Sequence, residues 1–243
     1  MNWSKAKTIL IIAFIITDIF LIIVYFKPAI ESETFNDNEA LVKFLAQKNI
    51  FVDADRLPKS RGDVPVLFVH NENADCEEMK SLLKEQRWQA DGNEDEDYKK
   101  AAGAFIKETG LRYNTASFSG IDRTGEYVRA AYKNVVNNLK VEKSYVTCIF
   151  KDSVLIEVDC DWLKVIRIHD KPQKTISAAQ ALLLFMAQNI DSGSIYIDDI
   201  EMVYWLDESV QIDVPVSEDT AFPVWKITYN GGDFNYIDAF EHN

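Results

Sequence analysis

Glycine, proline and cysteine are scarce in this chain, at 9, 6 and 3 of 243 residues. That scarcity excludes a collagen-like repeat, a low-complexity tract and a disulfide-stapled small scaffold. Positive charge is also short: 26 Lys and Arg stand against 39 Asp and Glu, a formal net charge of −13. So acidic a chain argues against a nucleic-acid partner, which needs a basic patch. The signatures of common catalytic sites are missing as well. No G-x-S-x-G elbow, P-loop or G-x-G-x-x-G occurs, and the histidines, His70, His169 and His242, have no zinc-ligand spacing. Asp159 with Asp161, or Asp198 with Asp199, suggest the two carboxylates of a glycosidase, but with 39 acidic residues neighbouring pairs arise by chance and turns favour aspartate anyway. The expectation is a non-enzyme with no cofactor and no metal.

Three short motifs resolve in the same direction. Asp91-Gly92-Asn93-Glu94-Asp95-Glu96-Asp97 begins like a calcium loop, with oxygen ligands at alternate places. Its sixth position is Glu96 rather than Gly and its twelfth is Ala102 rather than Glu, so it reads as a mobile, solvated acidic loop. Arg61-Gly62-Asp63 spells an adhesion tripeptide and reads as a turn. Cys76, Cys148 and Cys160 are odd in number; a turn near Lys151-Asp152 sets Cys148 opposite about Leu155 rather than Cys160, and free thiols are expected.

One long apolar run is present. Thr8 to Phe26 is 19 residues with a single charge, a helix of roughly 28 Å against a bilayer core of about 30 Å. It exceeds a signal-peptide core and ends in Val24-Tyr25-Phe26-Lys27-Pro28, a poor cleavage site, so it reads as an uncleaved anchor. Lys5 and Lys7 before it, and Glu31, Glu33 and Asp37 after it, keep the N-terminus in the cytoplasm and the bulk of the chain outside. The exterior part then carries 24 basic and 38 acidic side chains, a charge of −14. Trp3, Lys5, Lys7, Tyr25 and Phe26 are the expected membrane-interface residues. Asp18 lies near the bilayer centre, where a carboxylate costs about 2.5–3.5 kcal/mol. A single span has no ion pathway of its own, so Asp18, with Phe14, Phe20 and Leu21, is the expected contact surface for partner transmembrane helices.

The exterior part reads as α+β. A linker at 27–37 precedes a first unit, 38–170, and a second, 171–243, each an antiparallel sheet packed by a helix. Helices are expected at 39–46, 75–87, 125–139 and 177–189. Strands are expected at 63–69, 110–119, 144–150, 153–159, 162–168, 194–206, 209–214, 221–229 and 234–240. Asn230-Gly231-Gly232-Asp233 is a strong hairpin signal. Trp162, Tyr204, Trp205, Trp225, Tyr229 and Tyr236 fall on strands, either filling the core or forming a face for a glycan, a peptide or another exterior domain. Alternation sets Tyr204 and Trp205 on opposite faces.

The opening Met1-Asn2-Trp3-Ser4-Lys5-Ala6-Lys7-Thr8-Ile9, running on to Phe14-Ile15-Ile16-Thr17-Asp18-Ile19-Phe20-Leu21, resembles the start of the YycI (WalI) family. Phe222-Pro223-Val224-Trp225-Lys226-Ile227, the Asn230-Gly231 turn and Tyr236-Ile237-Asp238-Ala239-Phe240 are similar to that family's closing strands and to PepSY-like modules. The resemblance implies a single-pass cell-membrane protein with a YycH/YycI-like exterior fold. It further implies a regulator of the sensor histidine kinase of the WalK/WalR (YycG/YycF) two-component system, which controls cell-wall metabolism in low-GC Gram-positive bacteria. The implied partners are the kinase and a YycH-like protein, met through transmembrane helices and exterior domains. The rival expectation is an exterior module that senses a cell-wall fragment or peptide.

Overall fold

The computed structural model describes residues 38–59, 62–70, 74–110, 115–189, 193–206 and 219–241. Every expected transmembrane and interface residue, from Trp3 to Phe26, lies outside this set, as do Arg61 and the strand expected at 209–214. Among the described residues no helix is long and apolar enough to cross a membrane. The elements, in chain order, are α1 (Asn38–Ala46), β1 (Ile50–Phe51), β2 (Leu67–His70), α2 (Ala74–Glu85), α3 (Asp95–Glu108), β3 (Ala116–Thr124), β4 (Tyr127–Val136), β5 (Leu139–Lys151), β6 (Val154–Asp161), β7 (Lys164–Ile168), α4 (Ala178–Gln188), β8 (Ile195–Leu206), β9 (Asp219–Tyr229) and β10 (Asp233–Asp238). The fold is mixed α+β, with few helices and one large, mainly antiparallel sheet.

The ten strands run in the order β3-β4-β5-β8-β9-β2-β7, with β6 also on β5, β10 also on β9 and β1 beside β8. Three long strands, β5, β8 and β9, change partner along one edge. Lys140 and Val141 of β5 pair with β8 in parallel, whereas Tyr145 to Lys151 pair with β6. Lys143, at the changeover, has φ +57°, a costly backbone for a side-chain-bearing residue. It lies in a bulge where two steps along β4, Lys133 to Val135, are matched by five along β5, Tyr145 to Lys140. Leu139 and Val141 point inward before it, and Ser144, Val146, Cys148 and Phe150 after it.

The expected helix at 125–139 is instead a hairpin. Tyr127–Val136 alternates strictly between half-buried and buried, with Val128, Ala130, Tyr132, Asn134 and Val136 inward. The turn falls at Asn137-Asn138, both with positive φ, as a two-residue turn between strands requires. The period of two outweighed the 3.6-residue stripe of Tyr127, Ala131, Val135 and Leu139.

The acidic loop is likewise ordered. Its second half opens α3, where the Asp97 carboxylate accepts the Glu94 N–H at 3.1 Å. A Cβ at Gly92 would run into that same carboxylate. Arg123 of β3 donates to Asp95 at 2.7 and 3.1 Å and to the Asn93 carbonyl at 2.8 Å, and Ser153 donates to Asn93 Oδ1 at 2.8 Å. The negative charge of that loop is used for capping and for gripping an arginine.

Two hydrophobic cores form on one face of the sheet. The first joins Leu41 and Leu45 of α1, Leu67 and Val69 of β2, Leu182 and Phe185 of α4, and Met202, Tyr204, Trp225 and Ile227 of β8 and β9. Residues 38–70, expected beside the first unit, thus pack with the second. The other core joins Met79 of α2, Tyr98, Phe105 and Ile106 of α3, and Val146, Cys148 and Phe150 of β5. A buried polar seam separates them: Asn134 donates to Ser144 Oγ at 3.2 Å and to the Leu163 carbonyl at 2.8 Å, and Leu163 N–H donates to Ser144 Oγ at 2.9 Å.

The thiols depart from expectation. Cys76 of α2 is bonded to Cys160 of β6, with Cα atoms 5.6 Å apart, and Cys148 alone is free and buried. Cys148 stands opposite Val158 rather than Leu155, because Lys151 already pairs with Val154 at the turn and a register shift between Ile149 and Phe150 adds one residue more. Burial pushes its thiol up to about 12.

Candidate partner-binding face

Because Val141 and Tyr204 are register partners that both point into the core, Lys140 and Val203 beside them point the other way. Following that alternation along β1, β8, β9 and β10 collects seven aromatic side chains on the face opposite the helices. They are Phe51, Tyr196, Trp205, Phe222, Phe234 and Tyr236, with Phe240 just beyond β10. Phe234 is 54% and Tyr196 57% exposed, unusual for large rings on a strand. Phe51 stacks on Tyr196 at 5.1 Å, Trp205 on Tyr236 at 5.3 Å, and Phe222 meets Phe240 edge-on at 6.5 Å.

The centre of this face is a charged knot. Glu142 Oε2 accepts from Lys226 Nζ at 2.8 Å and from the Tyr236 hydroxyl at 3.0 Å. The three residues come from β5, β9 and β10, so their side chains reach across inter-strand gaps of about 4.8 Å each. Lys226 also stands 5.3 Å from the Phe234 ring centre and is the register partner of Glu201, which itself pairs with Lys140 at 2.7 Å. Burial, then the Glu142 and Glu201 carboxylates, holds the Tyr236 hydroxyl well above the ordinary tyrosine range. Under this lid Val203 and Val224 are buried on the side of the sheet away from the described helices.

The other residues singled out by sequence have structural duties. Trp162, Tyr204 and Trp225 are core residues; Tyr204 donates to the Pro65 carbonyl at 3.0 Å and Trp225 Nε1 to the Ile176 carbonyl at 3.0 Å. Tyr229 packs on Phe185 of α4 at 5.2 Å. Asp198 accepts from Gly231 N–H at 2.7 Å, which ties β8 to the β9–β10 turn, and Asp199 accepts from Ile200 N–H at 2.9 Å. Asp159 takes the Tyr145 hydroxyl at 3.3 Å. Among the described residues no group of three His, Cys, Asp or Glu is placed to hold a metal ion.

Sequence reasoning therefore found Trp205 and Tyr236 but missed Phe234, Lys226 and Glu142. A signal for two of these was present. The Asn230-Gly231 turn sets Phe234 opposite Thr228 and Tyr236 opposite Lys226, all on one face once Trp225 is assigned to the core. Glu142 carried none, since its nearness to Lys226 depends on the parallel pairing of β5 with β8, which joins segments far apart in sequence. The arrangement offers flat apolar surface, rigid rings and preset ion pairs, which is chemistry for recognition.

No family profile matches the chain, and no curated protein matches it in sequence. Nine solved chains match it in structure. One is described as the Bacillus megaterium YpeB C-terminal domain, 12% identical with a TM-score of 0.36. That match covers 61% of this chain and 62% of the other, so this chain spans less than two thirds of that structure.

Proposed function

We propose that this protein is a membrane-anchored regulator of a sensor histidine kinase that controls cell-wall metabolism. It acts through transmembrane-helix and exterior-domain contacts with the kinase and a YycH-like protein. The exterior region is a YycI-like pair of sheet-and-helix units ending in a PepSY-like unit. The observation that carries the reading is the aromatic face on β1, β8, β9 and β10: seven rings set around a preformed Glu142–Lys226–Tyr236 knot, on the side of the sheet away from the helices. The Cys76–Cys160 disulfide supports an exterior, oxidising location, and the Thr8–Phe26 segment supplies the anchor, with the N-terminus cytoplasmic. A single helix biases a kinase only by binding one of its conformations better than the other.

Two exchanges test this in cells. Replacing residues 1–30 by an unrelated anchor removes Asp18, Phe14, Phe20 and Leu21; Trp205→Ala with Phe234→Ala strips the exterior face. Each should lower co-purification of the kinase and change its output. Unchanged output and co-purification in both would sink the proposal.

A second reading has its own support. Trp205 stacked on Tyr236 beside Glu142 and Glu201 combines a ring face with carboxylate acceptors, the chemistry of sugar binding. A disaccharide-peptide titrated into the full chain should then alter Trp205 fluorescence, with no response in Trp205→Phe.

A further inference from the structure

All three cysteines belong to one core, yet the two helices over that core are held differently. α3 buries Tyr98, Ala102, Phe105 and Ile106, accepts the Tyr132 hydroxyl on the Lys99 carbonyl at 2.8 Å, and is gripped through Asp95 by Arg123. α2 buries Cys76 and Met79 and half-buries Leu82 and Leu83. Among the described side chains of α2, Lys80 donates to Glu77 at 2.9 Å and Ser81 to the Glu77 carbonyl at 3.0 Å, both within the helix. Its strongest link to the sheet is covalent, from Cys76 to Cys160. The two sulfur-bearing residues are also unequal. Cys76 is 2% exposed whereas Cys160 is half-buried, near the end of a strand whose edge away from β5 is bridged at its start, by Gln89 to Val154.

We propose that the Cys76–Cys160 disulfide is a reversible clamp on α2, opened by a dithiol reductant that attacks Cys160. A thiolate of the reductant attacks Cys160 Sγ, forming a mixed disulfide while Cys76 leaves as a thiolate and takes up a proton. The second reductant thiol, deprotonated, then attacks its own partner sulfur, and Cys160 departs and is protonated. Two electrons pass to the protein and the reductant ends as a disulfide. α2 then detaches from β6 and opens the core around Met79, while α3 and the sheet keep their packing. Cys148, buried and with its thiol pushed up to about 12, stays out of the exchange.

Hydrogen exchange on the full chain in lipid nanodiscs tests the clamp, with dithiothreitol as the reductant. Reduction should raise exchange across 74–87 at least tenfold and leave Asp95–Glu108 and Tyr127–Lys151 unchanged, and reoxidation should restore the first rate. Cys76→Ala with Cys160→Ala should reproduce the reduced pattern. A dithiol protein lacking its second cysteine should be trapped on Cys160 in peptide mapping. Unmoved exchange at 74–87, a simultaneous rise everywhere, or an adduct on Cys76 would each overturn the proposal.

Discussion

Lys226→Met probes the knot at the centre of the aromatic face. Lys226 and Glu142 side chains keep only 21% and 15% exposure at a separation of 2.8 Å. Removing one partner of a fully buried pair costs about 3–5 kcal/mol, since it strands the other charge. Residual solvent reduces this to about 2–3 kcal/mol, because water partly solvates the stranded carboxylate and the Tyr236 hydroxyl still donates to it. Glu142→Gln should be milder, about 1 kcal/mol. The amide oxygen still accepts from Tyr236, and Lys226 still faces Glu201 in register. The expected result is thus an asymmetry, with a coupling of about 1 kcal/mol or more in the double variant. Urea unfolding of the four proteins at low and high salt measures it. A surface pair would weaken with salt, whereas this one should weaken little. Equal losses below about 0.5 kcal/mol from both variants, or a coupling that vanishes in salt, would refute a desolvated knot.

Asp18→Leu should leave membrane insertion intact and cut partner co-purification by about 3- to 30-fold, the range set by one interhelical hydrogen bond of about 0.6–2 kcal/mol; unchanged recovery removes Asp18 from the contact surface. Alkylation of the denatured chain without reductant should add one label, on Cys148, and three after reduction; three labels from the start would mean no disulfide. Stability should fall as pH rises above about 10. Tyr236 and Tyr145 are both raised in the folded state, Tyr145 by burial and then by Asp159. The unfolded chain therefore loses those protons first, and the stabilisation present below the ordinary tyrosine value is lost as pH climbs; a flat profile from pH 9 to 11 contradicts this. Gly231→Ala, at φ +80° in the β9–β10 turn, should cost about 1 kcal/mol in urea unfolding, and no loss would place the turn elsewhere.

Legibility in the sequence tracked how local each determinant is. β6, β7, α4, β8, β9 and β10 were readable because alternation, the Ser177 cap and the Asn-Gly turn act within a few residues. β4 was misread since Tyr127, Ala131, Val135 and Leu139 also fit a helical stripe, and only pairing with β3 and β5 decides between the periods. α3 was hidden by its acidic start, which looks solvated until Arg123 closes on Asp95. The disulfide joins residues 84 apart, on elements whose closeness no spacing rule contains. On the candidate face, the rings were visible and the ions were not, because Glu142 reaches Lys226 only through the pairing of β5 with β8 and of β8 with β9.

The interleaving of the two cores has a consequence for how the chain is made. α1 and β2 are synthesised early, but Leu67 finds its neighbours only when Ile168 and then Ala221 have emerged. The intervening stretch, carrying α2, α3 and β3 to β6, needs nothing beyond Trp162 to complete its own core. It can therefore mature first and close its disulfide while β2 still waits as an open edge. The topology predicts nested rather than sequential assembly, the middle of the chain folding before its beginning and the beginning closing only when the end arrives. Pairing between early and late segments slows such folding and prolongs the exposure of apolar strands. A nascent chain halted after Trp162 should thus already resist protease between α2 and β6, and remain cleavable around β2.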